Sequence, residues 1–205
     1  MPHYASPYEA DRLDNGHTLI ADQHHHQVLE VDPCGTIVWH FRNRRLRREV
    51  FPRLHNGSFK RVAEDGRPEG WVLYNRFAEG GGELIWDEGE KRPVPGLSYD
   101  RRGALCLVQY LAVRPGAQLT LHGKIRTEGV EEGRFANFQL FFLDEMGGPV
   151  TKTVQAPTSE PLCGDQPWPP ATISTAVPEP ARTVEVRLFI NGPGKAWMKG
   201  LLLFE

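Results

Sequence analysis

No apolar run of about 18 residues occurs anywhere in the chain, so a membrane-spanning helix is excluded. Cysteine is scarce. Cys34, Cys106 and Cys163 are odd in number, far apart and free of any Cys-x-x-Cys spacing, which argues against a disulfide framework and against a cysteine zinc site. Cys106, inside Leu105-Cys106-Leu107-Val108, reads as a small core residue. The opening Met1-Pro2-His3-Tyr4-Ala5 has no basic or apolar stretch, so no secretory signal is expected and the default compartment is cytoplasmic. No Gly-x-Ser-x-Gly, His-Glu-x-x-His, phosphate loop or dinucleotide fingerprint is present, so neither an enzyme nor a bound cofactor is expected. Net charge is only −2 with 40% apolar residues, which does not fit bulk disorder.

The turn-forming residues, by contrast, are in excess. There are 21 glycines and 17 prolines among 205 residues, well above the average share of about 12% for the pair. They recur too often for long helices, so the chain is expected to be all-β, built from many short strands.

Residues 4–41 read as four such strands. Tyr8–Leu13 ends at Asp14-Asn15-Gly16, a hairpin signal, and His17–Asp22 follows. Val28–Asp32 then turns through Pro33-Cys34-Gly35 into Thr36–Phe41. Ile37, Trp39 and Phe41 share one face of the last strand, so that face is expected to be buried. The stretch Arg12-Leu13-Asp14-Asn15-Gly16-His17-Thr18-Leu19-Ile20-Ala21-Asp22, with Val28–Asp32 and Gly35-Thr36-Ile37-Val38-Trp39, resembles one blade of the β-propellers of quinoprotein-like and aryl-sulfotransferase-like proteins. Such propellers have about 4–8 blades, and no second copy is found here. Neither sulfotransferase nor quinone chemistry is therefore expected. A lone blade must pack on the rest of the chain or on copies of itself.

Residues 42–53 carry Arg42, Arg44, Arg45, Arg47, Arg48 and Arg53 against Glu49. A solvated linker is the plainer reading and an anionic docking patch the other. With no nucleic-acid motif or aromatic platform beside it, nucleic acid is not an expected partner; nor is a membrane. His24-His25-His26 would point to alternate sides of a strand, so the three are not expected to converge on a metal ion.

In residues 54–205, strand-like runs recur between Gly and Pro breaks: Gly82–Trp86, Ala104–Val113, Gln118–Arg126, Ala136–Leu143, Ala171–Ala176, Thr183–Ile190 and Ala196–Phe204. Regular short strands with turns predict a two-sheet sandwich. Several ordered motifs go further. They are Asn56-Gly57-Ser58-Phe59 with Gly70-Trp71, and Val108–Val113 ending in Arg114-Pro115-Gly116. Leu119–Arg126 and Phe141-Phe142-Leu143-Asp144-Glu145-Met146-Gly147-Gly148 come next. Trp168, Val177-Pro178-Glu179-Pro180-Ala181-Arg182-Thr183-Val184 and Gly194-Lys195-Ala196-Trp197 complete the set. Together they resemble carbohydrate-binding modules of the family 4/9 and family 22 type. The resemblance implies a galactose-binding-like jelly roll, an extracellular setting and a sugar site on the concave outer face. Such modules often hold a structural calcium through acidic residues where this chain has Lys60 and Lys199-Gly200. A calcium site is therefore not expected there, and an ammonium group is expected in place of the ion's charge.

Alternation sorts the strands into faces. Leu119, Leu121, Ile125, Phe138, Leu140, Phe142, Val184, Val186, Leu188 and Ile190 are expected inside. Lys124, Arg126, Asn137, Gln139 and Arg187 are expected outside, as one polar ligand-binding surface. Tyr74, Trp86, Tyr99, Phe141 and Trp168 are the aromatics available to stack on a sugar there, with Tyr74 and Trp86 placed in the site. Trp71 and Trp197 are assigned to the core. Glu83, Asp87, Glu88 and Glu90 read as a solvated acidic loop.

The expected organisation is a blade-like sheet over 1–41, an Arg-rich linker over 42–53 and a jelly-roll sandwich over 54–205. The expected function is non-catalytic glycan binding. The alternatives are a structural protein that self-associates through the N-terminal sheet, or a non-catalytic fragment of a larger enzyme.

Overall fold

The computed structural model describes residues 9–22, 27–42, 53–75, 82–101, 103–150 and 156–205, and these contain strands and no helix. His24-His25-His26 and residues 43–52 of the Arg-rich stretch lie outside the described residues. The chain is all-β, with a small antiparallel sheet followed by a two-sheet β-sandwich.

β1 (Glu9–Arg12), β2 (Thr18–Asp22), β3 (Gln27–Val31) and β4 (Ile37–Arg42) form an antiparallel meander in chain order. Gly16 and Gly35 take the positive φ values, 83° and 84°, that the tight turns need. His17 Nδ1 lies 2.7 Å from Glu30 Oε1 across the sheet. The expectation for the last strand is corrected: Ile37, Trp39 and Phe41 are 49%, 48% and 54% exposed. β4 ends the strand order, and Trp39 and Phe41 stack on one another at 6.3 Å instead of beneath a second layer.

The sandwich joins a smaller sheet to a larger one. The smaller runs β10 (Ala136–Leu143), β13 (Thr183–Ile190), β8 (Leu105–Ala112), β5 (Val72–Tyr74). The larger runs β11 (Gly164–Gln166), β9 (Gln118–Val130), β14 (Gly194–Phe204), β7 (Val94–Tyr99), β6 (Gly82–Asp87), and β12 (Pro170–Ala176) also pairs with β9. The long β9 thus holds two strands on one edge, β12 along Gln118–Lys124 and β11 along Thr127–Val130.

The core lies between the sheets. Phe138, Leu140, Phe142, Val184, Val186, Leu188 and Ile190 of the smaller sheet share one apolar cluster with Leu97, Leu119, Leu121, Ile125 and Met198 of the larger. The two layers pack tightly at Gly123. A Cβ there would stand 2.8 Å from Phe138 Cε2, so the Phe138 ring occupies space that any side chain at position 123 would need. One inward polar residue, Gln109, is fully paired: its Oε1 accepts from His55 N, and its Nε2 donates to the carbonyls of His55 and Gly70. This clamps the 55–70 loop to the sheet.

β5, β7 and β11 lie outside the strands expected from the sequence. β7 is Val94-Pro95-Gly96-Leu97-Ser98-Tyr99, and its Pro and Gly argue against a strand. Tertiary packing reverses that preference. The pairing of β14 with β7 stops at Gly96, so Pro95 needs no N–H on that side. Gly96 has no Cβ because Trp197 lies across it, with Cδ1 2.5 Å from where a Cβ would stand.

Candidate functional site

The outer face of the smaller sheet gathers polar groups that are shielded from water. The register sets Asn137 beside Phe189, Gln139 beside Arg187, and Phe141 beside Glu185 on β10 and β13. It continues onto β8, where Phe189 faces Cys106, Arg187 faces Val108, and Glu185 faces Tyr110. Tyr74 of β5 follows Cys106 in the same row. These residues alternate with the core-facing set, so they point away from the sandwich interior. Yet Asn137, Gln139, Glu185 and Arg187 are only 2%, 4%, 7% and 8% exposed.

Buried polar groups need partners, and most here have them. Arg187 Nε donates to Glu185 Oε2 at 2.6 Å, and its Nη2 meets the same oxygen. The guanidinium lies 4.1 Å over the Phe141 ring, a cation–π contact that strengthens when desolvated. Gln139 Nε2 donates to Asn137 Oδ1 at 3.3 Å. Gln139 Oε1 has no partner although it is fully buried. An orphaned acceptor of this kind costs about 1–3 kcal/mol.

Tyr110 is 42% exposed, and burial of its hydroxyl environment, aided by the Glu185 charge, pushes the phenol up to about 12. Burial likewise pushes the Cys106 thiol up to about 12, so it is a neutral packing group beside Val108 and Phe189. The edge of β10 is lined by backbone. Leu140 N donates to Pro157 O, Ser159 N to Phe138 O, and Ala136 exchanges two hydrogen bonds with Leu162.

The residues expected to form one surface fall on two. Asn137, Gln139, Arg187, Tyr74 and Phe141 come together on the smaller sheet. Lys124 and Arg126 belong to β9 and lie on the outer face of the larger sheet, on the other side of the sandwich. Trp86 pairs opposite Pro95 on the larger sheet, packs against the core, and donates from Nε1 to Gly66 O at 3.1 Å. Tyr99 is in the core at 2% exposure. Trp168 sits on the larger sheet's outer side, where the Lys199 ammonium is 3.9 Å from its ring centre.

Trp71 and Trp197 are both buried as expected, but only Trp71 joins the cluster between the sheets, unlike Trp197. It is buried on the outer face of the larger sheet, beneath the Arg126 guanidinium at 4.0 Å. Its neighbours Ala196 and Met198 take the inward positions, so alternation already required Trp197 to face out. Two of the four acids from the expected solvated loop are anchored. Asp87 pairs with Arg126 at 2.7 Å and Glu90 with Lys199 at 2.7 Å. Lys199 thus turns to the outer face toward Glu90, and Lys60 is exposed. Among the described residues no group of three or more His, Cys, Asp or Glu could hold a metal ion.

Sequence reasoning placed neither Tyr110 nor Glu185 in the site. The signal was present in the alternation of β8 and β13. What was missing was which strands are neighbours.

No family model matches the chain, and no curated protein matches it. Among solved structures it is similar to the enzymatically active domain of tailspike protein 4 of bacteriophage CBA120. The TM-score is 0.52 at 14% identity, covering 74% of this chain and 21% of that one. The chain thus spans about a fifth of that neighbour. The likeness shows the β-sandwich fold. A CBM4 structure aligns with a TM-score of 0.49 at 12% identity, over 73% of this chain and 97% of its own. The CBM22-1–GH10 modules of Clostridium thermocellum xylanase 10B align with a TM-score of 0.49 at 10% identity, over 66% and 26%.

Proposed function

We propose that the chain binds a glycan without transforming it, through the outer face of the smaller sheet. The observation that carries this reading is Gln139 Oε1, an acceptor with no partner in the free chain, set among Asn137, Arg187, Phe141 and the half-exposed Tyr110; in this reading a sugar reaches it by displacing the side chains that shield it. Sugar hydroxyls supply donors to such an acceptor, and aromatic rings take the apolar face of a pyranose. The Arg187 charge is matched by Glu185, so the face presents hydrogen-bonding groups with little net charge and suits a neutral sugar. In this reading residues 54–205 form the binding unit, residues 1–41 a separate small sheet and residues 42–53 the linker. The sequence resemblance to carbohydrate-binding modules supports the same assignment.

The test is Gln139→Met, assayed by calorimetric titration with neutral oligosaccharides and by thermal melting. Methionine fills a similar volume without the orphaned acceptor. Binding is expected to weaken about fivefold to tenfold, the equivalent of one lost hydrogen bond, while the melting temperature stays level or rises. Silence of the wild-type chain across neutral glycans removes the reading.

A second reading, self-association through the N-terminal sheet, is favoured by one observation. β4 is an edge strand on which Trp39 and Phe41 form a half-exposed aromatic face, while the register shift at Val31 turns Ile37 to the other side, and exposed edges of this kind pair with other chains. Light scattering is then expected to give a mass above the 23.1 kDa monomer, reduced by Trp39→Ser. A monomer at all concentrations excludes it.

A further inference from the structure

The outer face of the larger sheet carries a different chemistry. Lys124 on β9 and Lys199 on β14 are direct cross-strand partners. Like charges placed opposite one another destabilise a sheet unless something compensates them. Arg126 lies two residues along β9, on the same face, opposite Trp197. Asp87 balances Arg126 and Glu90 balances Lys199. Among the described residues Lys124 meets no acid, so within the group of Lys124, Arg126 and Lys199 its charge alone is unmatched. Arg126 Nε and Trp197 Nε1 are buried without an acceptor, and Asp87 Oδ2, in ion-pair contact with Arg126, makes no aligned hydrogen bond.

Trp168 is held over this group in an unusual way. The chain leaves β9 at the end of β11 and returns at the start of β12, and the excursion is Pro167-Trp168-Pro169. Ile125 N donates to Pro169 O, which docks the return. Prolines on both sides lock the neighbouring φ angles, and Trp168 itself has φ of 59°, a region that bulky residues rarely adopt. Strain of this kind persists only where the surroundings impose it, and it clusters at binding sites. The ring is partly exposed. The Lys199 ammonium lies 3.9 Å from its centre and the Arg126 guanidinium 5.6 Å. The result is a rigid aromatic plate beside a cluster of cations with one charge to spare.

We propose that this face is a second saccharide site, selective for a pyranose that carries a carboxylate or a sulfate. The sugar stacks on Trp168 and its anionic group sits between Lys124 and Lys199, relieving the cross-strand repulsion. The proposal does not rest on the glycan reading of the smaller sheet, because the two faces lie on opposite sides of the sandwich and share no residue.

The test is a titration of the full chain with four probes: galacturonate oligosaccharide, its methyl ester, sulfated dextran and inorganic sulfate. Lys124→Glu and Gln139→Met are run alongside, with melting temperatures measured for both. The free acid or the sulfated chain, whichever anion the site takes, is expected to bind at least tenfold tighter than the methyl ester. Affinity should fall with rising salt. Lys124→Glu should abolish this preference while the melting temperature stays level or rises, because it sets opposite charges across the pair, and Gln139→Met should leave the preference intact. Lys124 is exposed, so this substitution does not threaten folding. Equal binding of acid and ester, or a preference that survives Lys124→Glu, overturns the proposal. Inorganic sulfate competing as well as the sulfated chain shows an anion site without sugar recognition and overturns it too. Loss of acidic binding through Gln139→Met instead would place all binding on the smaller sheet.

Discussion

Arg187→Met is expected to destabilise the protein by about 3–5 kcal/mol, the range for removing one partner from a buried ion pair. Arg187 and Glu185 side chains are 9% and 10% exposed. Methionine keeps much of the apolar stem and its packing on Phe141, but it takes away the charge. Glu185 is then left in a shielded layer without the guanidinium, and desolvation of a carboxylate is the dominant cost. The test is denaturant unfolding of Arg187→Met, Glu185→Leu and the double variant. If the pair is the cause, the double variant recovers much of the loss, because no uncompensated charge remains. Additive losses, or a cost below about 1 kcal/mol for Arg187→Met, would show that the two charges act independently. The same experiment bears on binding. The double variant preserves the fold while removing two polar groups from the proposed glycan face, so its affinity for neutral oligosaccharides should fall even where stability returns.

Phe138→Ala should cost a similar amount, about 3–5 kcal/mol, as for other fully buried aromatics. Its ring is completely shielded and fills the gap opened by Gly123 on the opposite sheet. The informative partner is Gly123→Ala. The added methyl stands 2.8 Å from Cε2 and 3.0 Å from Cζ of Phe138, and overpacking of this kind costs about 1–3 kcal/mol. With Phe138→Leu already in place, Gly123→Ala is expected to cost less than it does alone, because the shorter side chain leaves room. Chemical denaturation of the four species gives the coupling. Equal costs in both backgrounds would mean that the sheets adjust their spacing freely. The consequence reaches the surface, since Asn137 and Gln139 flank Phe138 on β10. A shift that relieves the core clash also displaces the amides on the outer face.

How much of this was legible in the sequence depends on the range of the interaction concerned. Side-chain alternation is local. It placed Phe138, Leu140 and Phe142 inward, with Asn137, Gln139 and Phe141 outward, because successive residues of a strand point to opposite faces whatever lies beside it. Turn chemistry is also local, so the Asn15-Gly16 hairpin could be read directly. The strand through Pro95 and Gly96 could not. Its composition opposes a strand, and it exists because Trp197 needs the space over Gly96 and β14 asks nothing of Pro95. The stacked but half-exposed Trp39 and Phe41 show the other limit: apolar alternation identifies a face that prefers burial without showing whether a second layer is present to bury it.

The sequence by itself determined that the chain is all-β, which residues share a face within each strand, and which polar and aromatic groups are available. Only the tertiary structure decided which strands are neighbours. That choice split Lys124 and Arg126 from Asn137, Gln139 and Arg187. It put the matched Glu185–Arg187 pair on one side of the sandwich and the unmatched Lys124 charge on the other. The reason is that strand order is set by pairing between segments far apart in the chain. Period-two alternation carries no information about that pairing, since every amphipathic strand presents the same alternation to every candidate partner.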